Sequence, residues 1–191
     1  MGRYLGLLVI LLALTLNGCS WHSMGDKKVS FEPGYANAPL NKNKALYIAV
    51  TAPFPSDAQA TPDFISLQFS KNIRHAVRSC IPGDLTANSD EAIQRAKMQG
   101  GDYLVTLNVS RWKAQSISNP AHEVSMDVTV FDTETGATLN KAKIEATCYA
   151  MLMGLEFSPR ECVRPQIDAW AQQTFGTDST SAPQQDRGTF N

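Results

Sequence analysis

The chain has 191 residues, 18% of them charged, with a formal net charge of -1 at pH 7. That balance excludes nucleic-acid binders that rely on a basic patch or stripe, and it gives no electrostatic case for binding anionic lipid. Residues of apolar character make up 43%, which suits one core of ordinary size with polar extensions.

The first element in chain order is a leader. Arg3 supplies a positive charge, an apolar run extends from Leu5 to Leu16, and the segment ends in Leu16-Asn17-Gly18-Cys19. Charge, apolar stretch and small residues in that order make a secretory signal. The run of about 12 residues falls short of the roughly 20 needed to span a bilayer. Its terminal cysteine resembles the lipobox of bacterial lipoproteins. The alternatives are an ordinary secretory signal, or an uncleaved anchor, with a cysteine there by chance. The resemblance implies that Cys19 is acylated on sulfur, that the chain is cut after Gly18, and that the new amino group is acylated in turn. It therefore implies a lipid bilayer as partner, held through Cys19. Several acyl chains anchor where one does not, because each buried methylene contributes about 0.8 kcal/mol. Ser20, in place of Asp, implies by the same resemblance a position on the periplasmic face of the outer membrane of a Gram-negative bacterium. Residues 1–18 are thus expected to be the signal. Residues 19–43, rich in Ser, Gly, Asn, Lys and Pro, read as a lipidated tether.

Residues 44–175 are expected to form a single small α+β domain, and 176–191 a disordered tail with Phe190 as its one large apolar residue. Ala45 to Val50 is continuously apolar, as a strand buried on both faces should be. Between 63 and 80, Ile65, Phe69, Ile73, Ala76, Val77 and Cys80 recur at helical spacing. This places Cys80 on a packed helix face, with Pro82-Gly83 as the stop and a short strand at 84–87. Asn88 and Glu91 form a capping pair for the next helix, which Gly100-Gly101 ends. Three strand-like runs follow, around Tyr103–Val109, Val124–Val130 and Ala142–Cys148. Their alternation predicts an antiparallel meander with one packed and one wet face. Ser158-Pro159-Arg160-Glu161 opens a closing helix, although Pro165 suggests that the main part starts there. The sum is a mixed sheet of about five strands packed by about three helices.

Residues that could carry chemistry are few. With Cys19 committed to lipid, Cys80, Cys148 and Cys162 remain. They allow one disulfide with one thiol left over, or three small packed thiols. If a disulfide forms, the expected pair is Cys148 with Cys162, because Cys148 ends a strand facing the core and Cys162 opens the next helix. No Cys-x-x-Cys spacing or other metal motif is present, so neither metal nor cofactor is expected. His75 and His122 read as exposed. Cys80 or Cys162 beside His122 would make a nucleophilic pair only if the fold brought them together. The connection from Ser110 to Glu123 reads as a loop carrying Arg111, Trp112 and Lys113, and these three are the candidate partner-binding residues. The plainer alternative is that Trp112 caps the core and the cations are solvated.

The order strand, helix, short strand, helix, three strands, helix resembles the N-terminal domain of TolB-like proteins and the peptidoglycan-synthase activator lipoproteins. Gly101-Asp102-Tyr103-Leu104-Val105 running into Ser110-Arg111-Trp112, with the Asp132-x-x-x-Gly136 turn and the Pro159 helix, resembles a family of uncharacterised proteobacterial outer-membrane lipoproteins. The resemblance covers roughly 44–175. It implies a non-enzymatic binding or adaptor module whose partner is an envelope protein or peptidoglycan. The alternatives are a structural subunit of an envelope assembly, or a hydrolase with an unrecognised site around His122 or Cys162.

Overall fold

In the computed structural model, residues 25–35, 39–149 and 158–176 are described. The leader, Cys19 and the tail from 177 lie outside them. The described residues form six strands, β1 (Lys27–Phe31), β2 (Ala45–Thr51), β3 (Ser79–Thr86), β4 (Tyr103–Lys113), β5 (Ala121–Asp132) and β6 (Thr138–Tyr149), with three helices, α1 (Pro62–Ile73), α2 (Ser89–Met98) and α3 (Pro159–Phe175). The strands make one mixed sheet in the order β1-β6-β5-β4-β2-β3. β2 is parallel to both of its neighbours. β4, β5 and β6 form the antiparallel meander, and β1 adds antiparallel to β6.

Handedness places the helices. The connection β2–α1–β3 steps outward to the sheet edge, and β3–α2–β4 steps back across β2. Right-handed crossovers in opposite directions put their helices on opposite faces. α1 therefore covers one face, which α3 shares, and there Leu46, Ile48, Val50, Val105, Leu107, Met126, Val128 and Ile144 meet Phe69, Ile73, Ile167 and Trp170. α2 covers a smaller patch on the other face, where Ala92 and Ala96 meet Tyr47, Ala49 and Leu104. The rest of that face, along β5 and β6, is polar. Gly83 is required where β3 passes Tyr47, since any Cβ there would run into the phenol ring.

Several local expectations are corrected. α1 ends at Ile73, and Cys80 sits half-buried in β3 instead of on a helix. Pro82 looked like a helix stop but is part of β3, an edge strand with a free side where a missing N–H costs no ladder bond. β1 lies within the segment read as tether, so the folded unit begins before residue 44. α3 is continuous from Pro159 through Pro165. Its interior proline forgoes one backbone bond near the start of the helix, and dense packing downstream offsets the loss. Half of the connection 110–123 is strand, leaving 114–120 as the turn.

α3 is held at both ends. Cys148 on β6 and Cys162 on α3 are joined by a disulfide, with Cα atoms 5.8 Å apart. Trp170 is fully buried, with ring centroids 5.2 Å from Phe69 of α1 and 5.9 Å from Phe175. Trp170→Ala is expected to lose about 3–5 kcal/mol of unfolding free energy, the range for emptying a fully packed aromatic site. Urea denaturation with unchanged slope checks this, and a loss below that range would show that α3 is loosely seated.

Candidate polar site at the β4–β5 hairpin

Arg111, Trp112 and Lys113 lie together at the end of β4, but not as one surface. Strand alternation from Val109 would turn Arg111 into the core. The β4–β5 register instead shifts between Val109 and Arg111. The extra residue resets the alternation, as a β-bulge does. Trp112 now points inward and is buried beside Ile65, Phe69, Met126, Val163 and Ile167. Arg111 and Lys113 point outward. The indole is thus a core residue, and its neighbouring cations alone face solvent.

Those cations are paired. Arg111 Nη1 lies 2.7 Å from Glu123 Oε2 on β5, and Lys113 Nζ lies 2.7 Å from Asp57 Oδ2 in the loop before α1. The hydrogen bond from Lys113, reinforced by its charge, holds the Asp57 carboxyl below the usual carboxylate range. Gln59 fastens the same loop to the hairpin. Its N–H donates to the Trp112 carbonyl at 3.0 Å, and its side-chain oxygen accepts from the Ala114 N–H. Together with Ser116, Ser118 and Asn119 these residues line a shallow polar depression of about 470 Å³. Sequence reasoning missed Asp57, Gln59 and Glu123. They are ordinary polar residues, and only the register that sets Glu123 opposite Lys113 could have indicated one of them.

The hydrogen-bonding groups of the depression suit a polar ligand or a protein surface. Its residues do not assemble a nucleophile with a base. His122 is buried on β5, not exposed, and its Nδ1 accepts the Gln115 N–H at 2.9 Å. Cys162 is bonded to Cys148 and has no thiolate to offer. Burial pushes the Cys80 thiol up to about 12. His75 is exposed beyond the end of α1. Among the described residues, no three His, Cys, Asp or Glu side chains group as metal ligands.

No family model matches the chain, and no curated protein matches it. Solved structures do. A PelC dodecamer from Paraburkholderia phytofirmans aligns with a TM-score of 0.55 at 13% identity, covering 81% of this chain and 100% of that one. A single-residue variant of that dodecamer in another crystal form gives 0.53 at 14% identity, covering 80% and 99%. A Xanthomonas campestris protein of the family DUF330 gives 0.45 at 11% identity, covering 80% and 93%. At these identities the likeness to PelC is one of fold.

Two outcomes follow from this arrangement. Trp112→Ala should lose about 3–5 kcal/mol of stability, as for an emptied aromatic core site, whereas Lys113→Ala should stay near wild type in the same denaturant titration. Cys80 should resist iodoacetamide at pH 8 in the folded protein and react readily in urea. Its raised folded-state pKa keeps the thiol protonated well above the pH at which an unfolded cysteine ionises. Fast alkylation of the native protein would contradict the burial.

Proposed function

We propose that this protein is an outer-membrane-anchored lipoprotein whose periplasmic domain acts as a non-enzymatic binding or adaptor module for an envelope protein or peptidoglycan. The observation that carries the reading is the leader ending in Leu16-Asn17-Gly18-Cys19, joined by a short stretch to a folded sheet. The Cys148–Cys162 disulfide supports it, because such bonds persist in oxidising compartments such as the periplasm. The polar depression beside Arg111 and Lys113 supports a binding role, since it offers amides, hydroxyls and ion pairs instead of an apolar pocket.

One observation favours a second reading, a structural subunit of an envelope assembly. The PelC chain whose fold is similar to this one is described as a dodecamer. Light scattering of the purified lipoprotein separates the two, a monomer favouring the adaptor and a closed ring the subunit.

Cys19→Ala is expected to abolish labelling by a radioactive fatty acid and to leave unprocessed precursor. A mutant that still takes up label would overturn the anchoring. Crosslinking in cells followed by pull-down should enrich an envelope protein or peptidoglycan with the wild type. Recovery of neither would count against the binding role.

A further inference from the structure

The anchor and the β4–β5 hairpin leave the sheet at the same end. Lys27 of β1 pairs with Ala146, Ala146 with Val124, and Val124 with Trp112, so one row crosses four strands. One step further along, the Thr147 N–H donates to the Asp26 carbonyl at 2.7 Å, and Thr147 is opposite Glu123, which is opposite Lys113. Gly25 sits against the Thr147 carbonyl, where a Cβ would overlap it. From Gly25 back to Cys19 there are six peptide links. Fully extended, they reach about 20 Å at most. The opposite end of the sheet, at Asp132, lies about 30 Å from Glu123 along β5 at the usual rise per strand residue. A bilayer holding Cys19 is therefore close to the hairpin end and beyond the anchor's reach from the other.

The hairpin tip carries an unexplained side chain. Ser116 and Asn119 exchange backbone hydrogen bonds of 2.7 and 3.2 Å, leaving Ile117 and Ser118 as the two apex residues. Tight turns of this length favour Gly, Asn and Asp at the apex. Ile117 is β-branched and fully exposed, packing on nothing among the described residues. At the same end Tyr149, opposite Ala121, exposes 46% of its surface.

Resting on the lipoprotein reading above, we propose that the Ile117 apex, with Tyr149 behind it, contacts the bilayer that holds the acylated Cys19 and stands the sheet with its hairpin end toward the membrane. A single isoleucine binds a membrane weakly by itself. Tethering within about 20 Å makes the contact intramolecular and raises its effective concentration. Tyr149 suits the headgroup level, where amphipathic rings settle. The hairpin's own cations, Arg111 and Lys113, are already neutralised by Glu123 and Asp57. The contact should therefore depend little on anionic lipid.

The test uses the acylated full-length chain in phosphatidylethanolamine–phosphatidylglycerol vesicles, with and without doxyl-labelled lipid. In a Cys80→Ala background, Ile117→Cys and Glu134→Cys each carry an environment-sensitive fluorophore, Glu134 being exposed in the turn at the far end. The 117 label should shift to the blue and be quenched several-fold more than the 134 label, at low and high phosphatidylglycerol alike. Equal quenching at both positions overturns the docking. So does a blue shift at 117 that doxyl lipid does not quench, which would mean a second copy or a protein partner there. Intact mass showing no acyl chains would instead overturn the anchoring reading, and the docking with it. Acylated protein that floats with vesicles yet is unquenched at 117 overturns the docking alone.

Discussion

The disulfide between β6 and α3 is the constraint on which the rest of this fold depends. The sheet has a long apolar face, and α1 covers mainly the part over β2 and β3. The remainder, along β4, β5 and β6, needs α3. That helix reaches its place after a connection from the end of β6, and it carries a proline in its interior. Cys148–Cys162 fixes the start of α3 against the strand it has just left, the two cysteines being 14 positions apart in sequence. The chain-entropy model assigns about 3 kcal/mol to closing a loop of that size. Trp170 and Phe175 then seat the other end, and Trp170 meets Phe69 so that the two helices share one core.

The same latch organises the end of the sheet where function is proposed. Cys148 is opposite His122, which accepts the Gln115 N–H at the base of the hairpin. Trp112 fills the core beneath and Gln59 ties the preceding loop across the top. β1 joins at the edge beside β6. The polar depression, the hairpin apex and the start of β1 are thus held on adjoining rows of paired residues. Loops on a stiff scaffold are well placed to bind.

Much of the architecture was legible. The continuous apolar run at Ala45–Val50 gave the central parallel strand, and the alternation of Val124, Met126, Val128 and Val130 gave the meander. The Asn88–Glu91 cap is present, the side chain of Asn88 accepting the Glu91 N–H at 3.0 Å. What was not legible has specific causes. β1 is five residues with two lysines, and it is a strand only because β6 offers it an edge. Cys80 fits both the helical period of α1 and the alternation of β3, so spacing alone could not place it. At the hairpin, the outcome turns on one residue. A single extra position near Ser110 decides whether Arg111 or Trp112 enters the core, and bulges leave no mark in alternation until the partner strand is known. Sequence thus located the right segment and left two places open for its tryptophan, on a binding loop with Arg111 and Lys113 or capping the core, and the structure takes the second.

Native-state hydrogen exchange, followed with and without a mild reductant, tests most directly whether the latch carries the fold. With the disulfide intact, amides of α3 from Val163 to Phe175 should exchange as slowly as those of β4 and β5, because all belong to one cooperative unit. On reduction, α3 and the adjoining His122–Gln115 contact should lose protection first, while β2 and β4 keep theirs. Unchanged protection of α3 after reduction would contradict the account, and would mean that aromatic packing alone holds the helix and fixes the hairpin end of the sheet.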